Sequence, residues 1–431
     1  MEKENTLKFN YGLNDKPGWL PLTLYGIQWF LATMPILLII GSLVGNLQFD
    51  TLTEKTFYTQ KLFALIGTAL IVQVLWGHRL PIIIGPATVL LVGIIASQSE
   101  STASIYTAII TGGVLLFALS FTPWLKNLKD LFSPRIVAVI LALIAVTLMP
   151  TIIDLSFSGV LPPSLKYVFF VVFTIILMIS NSLLRGIWKS TVLLWGIVAG
   201  TLAYRFLILD WSMPAFPASE ENSKTFFLPA FEIEPGVLLA FLFCYVALFI
   251  NELGSVQAVS QAIRSGDETP RTVRGLRFTG LFNALNGLFG VIGPVDFSMS
   301  PGIIMSTGCA SRYALIPAGA GLILCALFPG IILFLTSIPE SVMGIILLYL
   351  MITQLGSSLQ MIGTNNLVKN FNDAIVIAFP IMLALVTVFL PGPIVSAIPV
   401  LLRPILGNGF VMGVIAVIIL EHTLNKKEKK K

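Results

Sequence analysis

The chain of 431 residues is 56% hydrophobic and only 11% charged, with 26 basic against 21 acidic side chains and a net charge of +5. Mean hydropathy is +0.92. Soluble domains carry about 25% charged residues, so this composition excludes a water-soluble globular protein and predicts an all-α polytopic membrane protein. Cys244, Cys309 and Cys325 are scattered over apolar runs, and the two histidines, His78 and His422, stand beside basic loop residues. Neither a metal site nor a cofactor nor the nucleophile–base pair of an enzyme is expected from such a set.

A spanning helix needs roughly 20 apolar residues. Such runs fall near 20–46, 58–77, 80–98, 103–124, 134–154, 166–184 and 187–209. Beyond a polar stretch at 210–235 they recur near 236–263, 277–295, 296–309, 312–336, 340–359, 372–391 and 404–421. The pattern predicts fourteen transmembrane segments in a 7+7 arrangement, with Gly and Pro interrupting the third, ninth and tenth. The first run follows a polar tail, Met1 to Gly18, and is too long for a cleaved leader. With both termini cytoplasmic, Lys55, Lys61, Lys166, Arg205, Lys224 and Arg403 face outward and the other 20 basic residues face the cytoplasm, in keeping with the positive-inside rule. The basic tail (Lys426, Lys427, Lys429, Lys430, Lys431) reads as a topology anchor touching anionic lipid, not as a nucleic-acid contact.

An odd number of segments per half makes the second half insert upside down. Ile84-Gly85-Pro86 and Ile292-Gly293-Pro294 are the same tripeptide, one in each half. Gly and Pro both oppose a continuous helix. Paired breaks at corresponding places mark an inverted-repeat transporter whose substrate site lies where the broken segments meet. Extended chain around each Pro would leave backbone groups that lipid cannot satisfy, so they must pair with each other, with water or with a ligand.

Two carboxylates lie inside apolar segments. Glu252 falls within Phe241–Ile263, and Asp296 follows the second Ile-Gly-Pro. An intramembrane carboxylate costs about 2.5–3.5 kcal/mol on insertion scales, so it is a functional candidate by default. Their other readings are a helix end snorkelling toward Arg264 for Glu252, and a cap on the short helix near Ser298 for Asp296. Gln28, in the first run, suits either a substrate site or a helix–helix hydrogen bond, whereas Asn283 and Asn286, at i and i+3, suit interhelical bonding. No basic residue lies deep in any run, so a neutral, donor-rich substrate or a cation fits better than an anion. Withdrawing water from a carboxylate favours its protonated form, which makes Glu252 and Asp296 the candidates for proton coupling.

These residues resemble the nucleobase–ascorbate transporter family, which includes bacterial xanthine and uracil permeases. The tenth-segment signature of that family aligns with Met299-Ser300-Pro301-Gly302-Ile303-Ile304-Met305-Ser306-Thr307-Gly308. Gly302, Thr307 and Gly308 match it, while Met299 and Ser300 depart. The continuation Cys309-Ala310-Ser311-Arg312 is similar to the purine branch. Glu252-Leu253-Gly254 aligns with the acidic motif of the eighth segment, Gln28-Trp29 with the Gln-His pair of the first, and Gly85-Pro86-Ala87-Thr88 with the third-segment element.

The resemblance implies a 7+7 inverted repeat with short antiparallel strands in segments 3 and 10. It implies a core domain (1–130 and 236–338) moving against a gate domain (131–235 and 339–431), a homodimer, and proton symport of a nucleobase, a purine before uracil. Glu252 is then the main side-chain ligand, with Ser298, Met299 and Ser300 contributing backbone or side-chain contacts. Gln28, Ala87, Thr88 and Phe297 complete the expected substrate set. The usual first-segment His and signature Glu are replaced here by Trp29 and Met299. That double departure removes the family's usual proton route and leaves Glu252 and Asp296 as its substitutes. Base stacking, lost at Thr88, passes to Trp29 or Phe297.

Overall fold

The computed structural model describes residues 9–122, 133–185, 187–208, 230–297, 299–336, 338–399 and 402–428. The first half contains α1 (Trp19–Gln48), α2 (Leu52–Leu75), β1 (Ile84–Pro86), α3 (Thr88–Ala96), α4 (Thr102–Leu119), α5 (Pro134–Thr147), α6 (Met149–Ser156), α7 (Pro163–Leu183), α8 (Ile187–Ser190) and α9 (Val192–Ile208). The second half contains α10 (Pro235–Ile263), α11 (Glu268–Leu288), β2 (Pro294–Asp296), α12 (Ser300–Thr307), α13 (Leu315–Leu327) and α14 (Pro329–Thr336). It closes with α15 (Glu340–Thr364), α16 (Phe371–Val388), α17 (Gly392–Ala397), α18 (Arg403–Leu406) and α19 (Gly409–Glu428). Several starts are written in the sequence. Ser101, Ser133 and Asn370 cap α4, α5 and α16 through their side chains, and Thr51 with Glu54 closes a capping box on α2.

Among the described residues, eight helices are long and apolar enough to cross a membrane, with α5 and α6 taken as one run. Three shorter apolar helices begin at Val192, Arg312 and Gly409. The expected third and tenth segments are each a strand followed by a half-length helix. The expected ninth is α11, whose first turns carry Glu268, Arg271, Arg274 and Arg277. Length and apolarity therefore count eight spans where fourteen were expected, because Gly and Pro shorten some segments and charge opens another.

Two packing groups are evident. In the first, α4 lies along α11, α2 along α13, α1 against α2 and α13, and α10 against α3, α4 and α11. Gly113 and Gly280 bring α4 and α11 so close that a Cβ on either would meet the other's backbone, the small-residue contact typical of membrane helices. In the second group, α16 packs on α19, α15 on α5, α6 and α7, and α5 on α16 and α19. Arg135 ties this group together, its guanidinium 2.8 Å from Asp373 on α16 and 2.9 Å from Glu421 on α19. The segment before α1 is bound to the first group: Asn10 N–H donates to Gly308 O at 2.8 Å and Ala310 N–H to Tyr11 O at 2.9 Å.

Candidate functional site

β1 and β2 pair antiparallel, with Ile84 opposite Asp296, Gly85 opposite Val295 and Pro86 opposite Pro294. Neither proline has an N–H, so the ladder is carried by its neighbours. Ala87 N–H donates to Gly293 O at 2.9 Å, and Phe297 N–H donates to Ile83 O at 2.8 Å. The two Gly residues of the repeated tripeptide are required by close approach. A Cβ on Gly85 would run into the Phe297 ring, and a Cβ on Gly293 would run into the Asn283 amide oxygen.

Side chains satisfy the backbone that the strands leave open, as a lipid-free interior demands. Asn283 Nδ2 donates to Pro294 O and Asn286 Nδ2 to Ile292 O, each at 2.8 Å. These asparagines were expected to bond between helices. They chiefly hold the second break, and one interhelical bond, from Tyr245 Oη to Asn283 Oδ1 at 3.0 Å, remains. Asp296 O accepts from Asn251 Nδ2 and Ser255 Oγ at 3.1 and 3.0 Å. Ser300 is buried, takes the Ile83 N–H at 3.0 Å and donates to Phe297 O at 2.8 Å.

Above the strands is a cavity of about 280 Å³. Its floor is Thr88, Val89, Asn251, Val295, Phe297 and Met299, from the first packing group. Its facing wall includes Asn181, Tyr349, Thr353, Gln354 and Ser357, from the second, and Lys189 joins the lining from α8, which packs against α12 and α9. Thr88 opens α3 and Met299 is the N-cap of α12, so two half-helix N-termini start at the cavity. The helix dipoles favour electron-rich ligand atoms there, although at α12 the Ser300 and Gly302 N–H groups are taken by Phe297 O and Met299 O and Pro301 has none. Lys189 adds an exposed cation to the lining, a basic group that the runs of apolar residues concealed.

The sequence-predicted residues divide by position. Thr88, Phe297 and Met299 line the cavity. Ala87 is buried directly beneath it, between β1 and α3. Gln28 and Trp29 lie outside the lining, and the Trp29 ring is buried in the helix core, so of the two aromatic residues only Phe297 faces the cavity. Ser298 lies outside the described residues. Glu252 does not snorkel toward Arg264. It is fully buried, accepts from Thr279 Oγ1 at 2.6 Å through Oε1, and accepts from Asp296 N–H at 3.3 Å through Oε2. Asp296 does not cap α12. Its carboxyl group lies against the Glu252 carboxyl, and His78 Nε2 stands 3.7 Å from Oδ2. His78 was missed in the sequence, because a loop position next to Arg79 gave no sign of burial, and Gln73 was missed on α2, where it is buried in the last turns of the helix.

Two broken helices whose strands pair, and whose half-helices open on one cavity between two helix groups, define a membrane transporter rather than an enzyme. A family model, Xan_ur_permease (Permease family), matches residues 21–393, and the chain belongs to that permease family. It is 26% identical to a uric acid permease of Bacillus subtilis over 94% of this chain and 92% of that one. It is 25% identical to a xanthine permease of the same organism, over 94% of each chain, and 24% identical to a uric acid transporter of Escherichia coli, over 81% and 73%. The fold is similar to the transmembrane domain of the cyanobacterium bicarbonate transporter BicA, with a TM-score of 0.60 at 15% identity, over 95% of this chain and 99% of that one. It is also similar to the murine Slc26a9 anion transporter, with a TM-score of 0.58 at 13% identity, over 95% and 69%.

Proposed function

We propose that the chain imports a purine base such as xanthine, urate, guanine or hypoxanthine by proton symport with alternating access, as a homodimer with cytoplasmic termini. The observation that carries this reading is the convergence of the α3 and α12 N-termini, Phe297 and Asn251 on one cavity. Ring carbonyls and nitrogens suit the helix N-termini, and the planar ring suits the Phe297 face. At about 280 Å³ the cavity lies at the lower edge of ordinary small-ligand pockets, about 300–1,000 Å³. Its two walls belong to different packing groups, the arrangement in which a core (1–130 and 236–338) rocking against a gate (131–235 and 339–431) exposes the site to each side in turn.

Glu252 stands one peptide behind the cavity floor, holding the Asp296 amide between Val295 and Phe297. Direct contact with a base requires its side chain to leave Thr279, an exchange that a ring N–H donor would compensate. Its buried carboxylate and that of Asp296 are the proposed proton carriers, in place of the positions occupied here by Trp29 and Met299.

One observation favours a second reading, a carrier of a small anion: Lys189 lines the cavity. The same lysine suits a purine that has lost a proton. Uptake of labelled xanthine, guanine, hypoxanthine, urate and uracil by cells expressing the chain, beside bicarbonate and chloride, separates the two. Accumulation of a purine that a protonophore collapses is the expected result. Accumulation of an anion alone would replace the proposal with the second reading.

A further inference from the structure

Behind the cavity the buried polar groups close into a ring. Gln73 Nε2 donates to Thr279 Oγ1 at 2.8 Å and to Gly275 O at 2.9 Å, and Gln73 Oε1 accepts the His78 N–H at 3.3 Å. Thr279 Oγ1 donates to Glu252, and Glu252 accepts the Asp296 N–H. The circuit is completed by His78 Nε2, 3.7 Å from Asp296 Oδ2, with both side chains fully buried. Gly275 separates His78 from Glu252, since a Cβ there would lie 3.3 Å from His78 Cβ and 3.4 Å from Glu252 Oε1.

The tautomer of His78 follows from its other nitrogen. Nδ1 accepts the Leu80 N–H at 2.9 Å, so the neutral ring carries its proton on Nε2, facing Asp296. A second ring proton would have to sit on Nδ1, against that N–H. The surrounding charge opposes it too. From α11, Arg271 donates to His78 O at 3.1 Å and Arg274 to Gly77 O at 3.2 Å, and Arg79 stands in the same turn. Glu252 on α10 and Asp296 on β2 are the carboxylates on the other side. His78 is therefore a fixed neutral donor aimed at a carboxyl group whose other polar neighbour is the Glu252 carboxyl.

We propose that His78 is the positioning residue of proton coupling: it closes onto Asp296 when that carboxyl releases its proton, and stands off when the proton is bound. The proton itself moves between water and the Asp296 and Glu252 carboxyls, and the imidazole gains and loses none. The inference rests on the reading of the chain as a proton-coupled purine carrier.

The test is the pH profile of uptake, measured with whichever purine the wild-type protein accumulates. His78→Phe keeps bulk but removes the donor, so the released carboxylate loses a charge-assisted hydrogen bond and holds its proton to higher pH. The midpoint should move up by about 1–2 pH units. His78→Gln retains an N–H and should restore the wild-type midpoint. On an Asp296→Asn background, which should itself flatten the profile, His78→Phe should change nothing further. An unmoved midpoint in His78→Phe overturns the proposal, as does equal loss of rate in His78→Phe and His78→Gln with no shift. A wild-type profile in Asp296→Asn overturns it whether or not His78→Phe inserts. Absence of uptake of every base by the wild-type protein instead defeats the carrier reading.

Discussion

The two Ile-Gly-Pro breaks share a tripeptide, a pairing register and a half-helix, yet they are chemically unequal. The first is apolar, and its glycine serves as a floor for the Phe297 ring. The second is held by Asn251, Ser255, Asn283 and Asn286 through three of its carbonyls, and carries Asp296 into the buried ring of Glu252, Thr279, Gln73 and His78. The repeat explains the architecture, since two inverted half-helices can meet at one cavity. The difference between the copies explains the chemistry, because both buried carboxyl groups, Glu252 and Asp296, lie on the second side and the first contributes only the neutral His78.

That contrast can be broken at several points. The largest effect is expected at the second break. Glu252→Gln removes the carboxylate that takes both the Thr279 hydroxyl and the Asp296 amide, and should lower purine uptake roughly 100-fold with insertion preserved, from the loss of a charge-assisted hydrogen bond. Full activity of this variant would remove Glu252 from the transport cycle. Gly293→Ala should cost about 3 kcal/mol and Gly85→Ala about 1 kcal/mol, both as overpacking. Asn283 is pinned by Tyr245, Thr279 O and Pro294 O, whereas Phe297 faces a cavity into which it can turn. Thermal unfolding in detergent ranks the pair, and an equal or reversed order would refute the asymmetry.

Asn286→Ala leaves Ile292 O without this partner and should cost about 1–2 kcal/mol in the same assay. The smallest changes belong to groups that touch only the ligand. Lys189→Gln should raise the KM for urate several-fold, by roughly 1 kcal/mol of a solvated charge pair, and leave hypoxanthine nearly unaffected. Equal effects on both would take Lys189 out of substrate recognition.

Much of this was legible in the sequence, for reasons that particular residues show. Gly85, Pro86, Gly293 and Pro294 stand out because a membrane helix has few alternatives to them. Glu252 and Asp296 stand out because a carboxylate in an apolar run is expensive. The span count was less legible, since strand-plus-half-helix segments and the arginines of α11 do not obey a length rule. His78 was hidden for a tertiary reason. In the turn from Trp76 to Ile83 only Trp76 and Arg79 are exposed. Arg271 and Arg274 donate to the carbonyls of Gly77, His78 and Arg79, and Arg312 to that of Val74 at the end of α2, and no periodicity announces a buried loop. Its one sequence signal was negative: a chain with two histidines had placed one beside the third segment's Ile-Gly-Pro. Lys189 was read as a loop charge because α8 is a four-residue turn between two apolar helices.

The most direct test of the account uses purified protein in liposomes with an inwardly directed proton gradient and labelled xanthine inside a competition panel of purines, uracil and bicarbonate. The account predicts concentrative xanthine uptake that purines compete, that uracil competes more weakly, and that collapses with the gradient or with Glu252→Gln. Gradient-independent equilibration of xanthine, or uptake that bicarbonate alone displaces, would contradict it.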